Sequence, residues 1–153
     1  MNQFEKELNE VLVDTFGLII KAEELAIKKT GRINLSISEM HLVEAVGKQK
    51  GGRTVSAIAE DLGVTLPSVT IAINRLCKKG YVEKSKSGDD GRVVIVSLTR
   101  SGHKIDLVHK FFHRQMLNNL SCGMTPEEKS VLLKGITRLN RFFREKTAGM
   151  EAK

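Results

Sequence analysis

The stretch of this 153-residue chain from Thr54 to Thr99 restricts its fold most strongly, because two short helical patterns meet there at a glycine turn. Ala59, Leu62 and Gly63 supply the small residue, the apolar anchor and the turn glycine of a helix-turn-helix. In that motif the first helix crosses the DNA backbone and the second enters the major groove. The stretch therefore predicts a compact head of the kind that binds DNA.

The second of these helices has one apolar face and one polar face. Val69, Ile73 and Leu76 recur at the spacing that turns one face inward. On the opposite face, Asn74 and Arg75 carry the kinds of side chain that read adenine and guanine edges. Short hydroxyl groups at the helix start can approach phosphates, and the helix dipole there favours negative charge. The helix therefore has the chemistry of a DNA reader.

A basic hairpin follows this helix. Residues 81–85 and 93–98 are strand-forming runs, separated by turn-forming residues 86–91. Arg92 leaves the turn two residues after Asp90, and a carboxylate so placed would hold the guanidinium in one pose for a narrow minor groove. The plain alternative is a surface ion pair that contributes little. Across the helix and the hairpin we predict these DNA-binding residues: Thr65, Pro67, Ser68, Thr70, Asn74, Arg75, Lys78, Lys79, Lys84, Lys86, Asp90 and Arg92.

The net charge of +7 is concentrated at this head. Residues 1–30 hold four cations and six acids, whereas residues 75–104 hold eight cations and three acids. Such a concentration implies a polyanionic partner. RNA binding would be expected to use aromatic side chains that stack on bases, and only Tyr81 lies near the basic surface, so double-stranded DNA is the expected partner.

The hairpin also carries a family resemblance. Asp90-Gly91-Arg92, followed by residues 96–99 and Gly102, resembles the D-x-R…L-T-x-x-G wing signature of the MarR family of winged-helix regulators. The resemblance implies a mainly α fold with a small β-wing, in the order of four helices, two strands and two helices. It implies a winged helix-turn-helix transcriptional repressor that needs no cofactor.

Three further stretches are similar to the branch of this family that represses bacterial fatty-acid synthesis genes. They are MHLVEAVG at 40–47, VTIAINRLCKKGYVEKS at 69–85 and HKFFHRQM at 109–116. This second resemblance implies control of fatty-acid synthesis genes, with acyl-acyl carrier protein as the effector.

The terminal helices predict a dimer. They are heavily apolar, and no other part of the chain is large enough to cover both of their faces. In the MarR family such helices intertwine into a helical homodimer, which would place residues 1–35 and 100–147 in a dimerisation region and 36–99 in the winged helix-turn-helix of one structural unit. Two recognition helices about 34–36 Å apart would meet a pseudo-palindromic operator. The alternative is a monomer with a long helical cap.

Capping residues predict where several helices begin. Ser36 and Glu39 have the spacing of a capping box, and Thr99 can cap the helix after the hairpin. Thr125 precedes a proline at the first position of the last helix. Residues 48–53 predict a loop that leads into the head.

The family resemblance also implies an effector site where the first, second and fifth helices meet the head. The residues expected to line it are Phe16, Ile19, Ile20, Glu23, His41, Glu44, Val108, His109, Phe112 and His113. One hypothesis is an apolar slot for an acyl chain. Another is a metal site, because the zinc-responsive members of the family have a similar ligand set, here Glu23 or Glu24, His41, His109 and His113. The remaining possibilities are that the site binds another ligand, or that these residues are part of the hydrophobic core and bind none.

Other classes of protein find no support in the sequence. It contains no nucleophile elbow, P-loop or Rossmann glycine fingerprint, so an enzyme is not expected. Cys77 and Cys122 form neither a disulfide framework nor a metal-ligand spacing. No apolar run reaches the length of a membrane span and the acidic N-terminus lacks a secretory signal, so we expect a cytoplasmic protein with no membrane partner.

Overall fold

The computed structural model describes residues 1–29, 33–87 and 93–151, and the chain divides into two compact units, Met1–His113 and Arg114–Lys153. Among the described residues there are six helices and a three-stranded sheet, as expected for a mainly α winged helix-turn-helix. The elements in chain order are α1 (Gln3–Lys29), α2 (Ile37–Gly47), β1 (Arg53–Thr54), α3 (Val55–Leu62), α4 (Leu66–Lys78), β2 (Val82–Ser87), β3 (Val93–Leu98), α5 (Arg100–Ser121) and α6 (Pro126–Glu151).

The helix-turn-helix consists of α3 and α4, as the sequence predicted. Thr54 caps α3 by accepting a hydrogen bond from the backbone N–H of Ala57 at 3.2 Å. Gly63 ends α3 in the left-handed conformation, with φ of 63°, where a side chain would be strained. Thr65 then caps α4, and Pro67 lies in its first turn, where no backbone N–H is needed.

The sheet has the order β1-β3-β2 and is antiparallel throughout. The hairpin of β2 and β3 pairs Val82 with Leu98 and Lys84 with Val96. The prediction of a two-stranded ribbon, with residues 48–53 as a loop, was wrong at its edge, because Arg53 lies in the short strand β1 and pairs with Val96 of β3. Two residues are too few to show the alternation by which a strand is recognised in sequence.

The hydrophobic core of the first unit surrounds α2. The capping box predicted at Ser36 and Glu39 is present at the start of this helix. The buried core residues come from α2, the helix-turn-helix, the sheet and the start of α5: Leu35, Met40, Leu42, Val43, Ala45, Val46, Ile58, Ala59, Val69, Ile73, Leu76, Val82, Val96, Leu98 and Ile105. The inward face predicted for α4 is confirmed by the complete burial of Ile73 and Leu76.

The junction between the sheet and α5 explains the L-T-x-x-G pattern physically. The backbone N–H of Thr99 donates to the carbonyl of Tyr81 at 3.1 Å, and its hydroxyl donates to the carbonyl of Gly80 at 2.7 Å. The same hydroxyl accepts from the backbone N–H of Gly102 at 3.1 Å, so the predicted cap is present. A Cβ at position 102 would overlap the Tyr81 carbonyl oxygen, which leaves glycine as the residue that fits.

The long helices expose many apolar side chains in the single chain. Those of α1 include Phe4, Val11, Val13, Phe16, Leu18 and Ile20. In the second unit, Thr125 and Glu128 form a capping box at the start of α6, whose exposed residues include Val131, Leu133, Ile136, Phe142 and Phe143. Within the described ranges no single helix is long and apolar enough to cross a membrane; α3 and α4, bent by 111°, meet that standard only as a pair, by length and composition.

Candidate DNA interface and effector site

The start of α4 presents short hydroxyl side chains, and these already form hydrogen bonds within the protein. The hydroxyls of Thr65 and Ser68 lie 2.8 Å apart and share a hydrogen bond. The Thr70 hydroxyl donates to the Leu66 carbonyl at 2.8 Å. While its one proton is engaged in this way, the Thr70 hydroxyl can accept a hydrogen bond from DNA, and its methyl group can make an apolar contact.

The C-terminal half of α4 carries the larger polar groups, next to β2. Asn74 and Arg75 are exposed, and so are Pro67 and Lys78. The Lys84 ammonium on β2 donates to Asn74 Oδ1 at 2.6 Å, which joins two predicted DNA-binding residues from different elements. The exposed Lys86 follows on the same strand, while Asp90 and Arg92 lie outside the described residues.

Lys79, also predicted to contact DNA, has protein partners instead. Its ammonium donates to both carboxylate oxygens of Glu39 at 2.8 Å and to the Asn34 carbonyl at 2.9 Å, which engages all three of its donors. Burial opposes ionisation of Glu39, yet the hydrogen bonds from Lys79 and from the Ser36 backbone outweigh it and hold the pKa of Glu39 below its usual value. Lys79 thus joins the end of α4 to the start of α2, and a contact with DNA stays a prediction.

A cluster of ionisable side chains lies between α1, α2 and α5 within the first unit. Glu23 and His109 are each only 4% exposed, and His113 is half-buried. Glu23 Oε1 lies 3.2 Å from His113 Nε2 and 3.9 Å from His109 Nε2, and the two histidine Nε2 atoms are 3.1 Å apart. His41 Nε2 approaches the other oxygen of Glu23 at 3.5 Å. One carboxylate therefore faces all three histidines.

Glu44, also expected from the sequence at the effector site, belongs to this cluster. Its Oε2 lies 3.2 Å from the buried Nδ1 of His109, for which no hydrogen bond forms within the described part of the chain. Burial lowers the pKa of His109, and the nearby His113 adds to this, while Glu44 and Glu23 act in the opposite direction. His109 is therefore held towards its neutral form, in which a ring nitrogen can act as a ligand.

The predicted effector residues do not all line one space. Glu23, His109 and Phe112 surround a small apolar gap of about 10 Å³. Ile20 and His41 instead line an open groove of about 680 Å³ between α1 and the segment before α2. Phe16 is largely exposed. The groove residues are Ile20, Glu24, Ile27, Ile33, Asn34, Leu35, Ser36, Ile37, Ser38 and His41.

Residues 33–38, which line this groove, were not among the effector residues predicted from the sequence. Ile33, Leu35 and Ile37 alternate with polar residues, and this alternation was the signal that an extended apolar segment lies there.

Comparison with known proteins supports the architecture. A family model described as MarR family matches residues 33–93. The transcriptional regulator AdcR of Streptococcus pneumoniae is 30% identical over 143 residues, with 91% of this chain and 97% of AdcR covered. The uncharacterised HTH-type transcriptional regulator YfiV of Bacillus subtilis is 28% identical, with 92% and 87% covered. The crystal structure of Streptococcus pneumoniae FabT in complex with DNA superposes with a TM-score of 0.86 at 36% identity, covering 92% of this chain and 98% of FabT.

The capped α3–α4 pair, the sheet beside it and the exposed polar face of α4 define a winged helix-turn-helix transcriptional regulator that binds DNA. With a relative 30% identical over nearly its whole length, the chain belongs to the MarR family. Its relatives are transcriptional regulators, a class distinct from enzymes.

Proposed function

We propose that this chain is a sequence-specific repressor that binds pseudo-palindromic operators as an intertwined homodimer and controls fatty-acid synthesis genes, with acyl-acyl carrier protein as its effector. The observation that carries the proposal is the likeness to FabT, at 36% identity over 92% of the chain, since FabT is seen in complex with DNA. The similarity of residues 40–47, 69–85 and 109–116 to the fatty-acid branch of the family supports the choice of target genes.

The homodimer is supported by the apolar side chains that the single chain leaves in water. Phe4 of α1 is 69% exposed, and in α6 Val131 is 70% exposed and Leu133 is 68% exposed. Large apolar side chains exposed in such number mark an interface. A second copy would cover both helices and place two copies of α4 on one side of a duplex.

The open groove beside α1 supports an acyl effector. Its volume of about 680 Å³ lies within the range of small-molecule sites, which is roughly 300–1,000 Å³. Ile20, Ile27, Ile33 and Ile37 supply an apolar lining that suits a hydrocarbon chain, and polar groups such as Ser38 also line the groove. An acyl chain would gain by removing this surface from water.

The same groove is connected to the DNA-reading helix through two residues. Its lining includes Asn34 and Ser36, which bond to Lys79 and Glu39, and Lys79 caps the end of α4. A ligand that favours one arrangement of residues 33–38 would therefore bias the position of α4. The ligand can shift the free-energy difference between the two arrangements by as much as its binding free energies for them differ.

Binding of acyl-acyl carrier protein tests the proposal. Palmitoyl-acyl carrier protein should bind the purified full chain and raise its affinity for operator DNA, whereas unacylated carrier protein should do neither. Ile20→Asp should abolish the response, while Lys21→Asp, at an exposed charged position of α1 outside the groove lining, should retain it. Equal binding of both carrier proteins, or loss of response in both variants, would contradict the acyl effector.

A zinc-responsive regulator is the second candidate, and the Glu23–His109–His113 cluster favours it. The three ligand atoms lie within 4.8 Å of one another. Two of their separations, 3.1 Å and 3.2 Å, are close to the roughly 3.3 Å that tetrahedral zinc imposes on nitrogen and oxygen ligands. Glu23 rather than Glu24 fits as the carboxylate, because Glu24 lies on the groove. When bound, zinc would link α1 to α5, with His41 as a further ligand.

Metal binding separates this candidate from the first. Zinc titration of chelator-treated protein, followed by competition with a chromophoric chelator, should give one tight site per chain in the wild type and none in His113→Leu. His103→Leu is the matched control, since this exposed histidine of α5 is outside the cluster. Equal zinc affinity in both variants, or none in the wild type, would exclude the cluster as a zinc site.

A further inference from the structure

The hydrogen bond between Lys84 and Asn74 connects the wing to the DNA-reading helix. Lys84 lies on β2 and Asn74 on α4, and the distance between Nζ and Oδ1 is 2.6 Å. A lysine ammonium can only donate hydrogen bonds. The contact therefore fixes the orientation of the Asn74 amide, with its oxygen towards Lys84 and its NH₂ group free to point elsewhere.

This orientation changes what Asn74 can read. An asparagine that recognises adenine uses both ends of its amide, because its oxygen accepts from the N6 amino group while its NH₂ donates to N7. The ammonium occupies one lone pair of the Asn74 oxygen and places two further N–H donors beside it, so the pair presents mostly donors and disfavours the N6 amino group of adenine. In the major groove guanine presents two neighbouring acceptors, N7 and O6, whereas adenine places an amino group beside N7.

We infer that Lys84 is a positioning residue that makes Asn74 select guanine over adenine at the base pair it faces. The inference rests on the proposed DNA-binding function and deepens it. Lys84 is thereby distinguished from an ordinary phosphate contact, which would add affinity equally to every sequence. Lys86 provides the comparison, because it is an exposed lysine two positions further along β2, on the same face of the strand.

Selection from a random duplex library tests the inference, with full-length wild type and three variants. Asn74→Ala identifies the base pair that Asn74 reads, because preference is lost there. The wild type should enrich guanine at that base pair. Lys84→Met should shift the preference towards adenine by roughly tenfold, since the freed amide oxygen can then accept from N6. Lys86→Met should lower affinity for all sequences and leave the guanine preference unchanged.

Base analogues test the same contact at the level of atoms. Replacing the selected guanine with 7-deazaguanine removes the N7 acceptor and should weaken wild-type binding several-fold. Inosine keeps both N7 and O6 and should bind as guanine does.

Three results would overturn the inference. The first is a wild-type preference for adenine at the Asn74-dependent base pair. The second is an unchanged preference in Lys84→Met, which would make Lys84 a phosphate contact. The third is equal binding of guanine and 7-deazaguanine. A wild type that enriches no sequence would instead refute sequence-specific binding itself, and with it this inference.

Discussion

The Lys79 ammonium lies 2.8 Å from both carboxylate oxygens of Glu39, so the end of the DNA-reading helix α4 is bonded to the start of α2. Glu39 also accepts a hydrogen bond from the Ser36 backbone at 2.9 Å and thereby closes the capping box of α2. One carboxylate thus stabilises a helix start and holds a helix end. It lies next to residues 33–38, which line the open groove beside α1.

Replacing Glu39 should destabilise the head. Glu39→Gln removes the negative partner of Lys79 and weakens the cap, so we expect a loss of about 1–2 kcal/mol in the free energy of unfolding at pH 7. Because the folded pKa of Glu39 is lowered, this contribution is present above about pH 4.5 and is lost as pH falls through the folded pKa. Urea unfolding across this pH range measures both effects. Glu83→Gln, at an exposed position, should differ from the wild type by less than about 0.5 kcal/mol; an equal loss in both variants would refute the role of Glu39.

Two glycine-to-alanine substitutions should change the free energy of unfolding in opposite directions. Gly102→Ala places a Cβ against the Tyr81 carbonyl oxygen and should cost about 1–3 kcal/mol, because backbone must move to accept it. Gly135→Ala, in the middle of α6 with open space around its Cβ, should stabilise by up to about 1 kcal/mol. Chemical denaturation measures both. A stable Gly102→Ala protein would show that the close approach of α5 to Tyr81 is wrong.

Arg75 should contribute to base preference. The side chain is exposed on α4, one residue from Asn74, and a bidentate contact to guanine would be worth about 1–3 kcal/mol. Arg75→Ala should therefore weaken binding to the selected site by that amount and relax preference at one base pair of each half-site. Comparison of affinities for the selected site and for single-base variants measures this. A uniform loss over all sequences would make Arg75 a phosphate contact.

The elements that could be predicted from the sequence are those determined by interactions between residues close together in the chain. Capping residues such as Ser36 and Thr125, together with Gly63 in the turn, act within four residues of themselves, so the starts of α2, α5 and α6 and the turn could be recognised directly. The apolar positions of α4 were predictable for the same reason, because helical spacing is a local property.

The contacts that give the site its character depend on pairs far apart in the chain. Lys79 donates a hydrogen bond to Glu39, which lies forty residues earlier in the chain. Lys84 can reach Asn74 only because β2 lies beside α4. Both lysines look alike in the sequence, as cations on a basic head. Only the packing of the elements shows that Lys79 joins two helices whereas Lys84 orients the Asn74 amide.

The proposed function depends most on the basic head binding DNA through phosphate contacts. Fluorescence anisotropy with the selected duplex should show the association constant falling by about 10³-fold or more between about 50 and 200 mM salt, because each neutralised phosphate releases counterions. The plot of log affinity against log salt should be linear and steep, and Lys78→Ala should reduce its slope. An affinity that stays constant across this range, or an absence of binding at the lowest salt, would contradict the assignment of this surface to DNA.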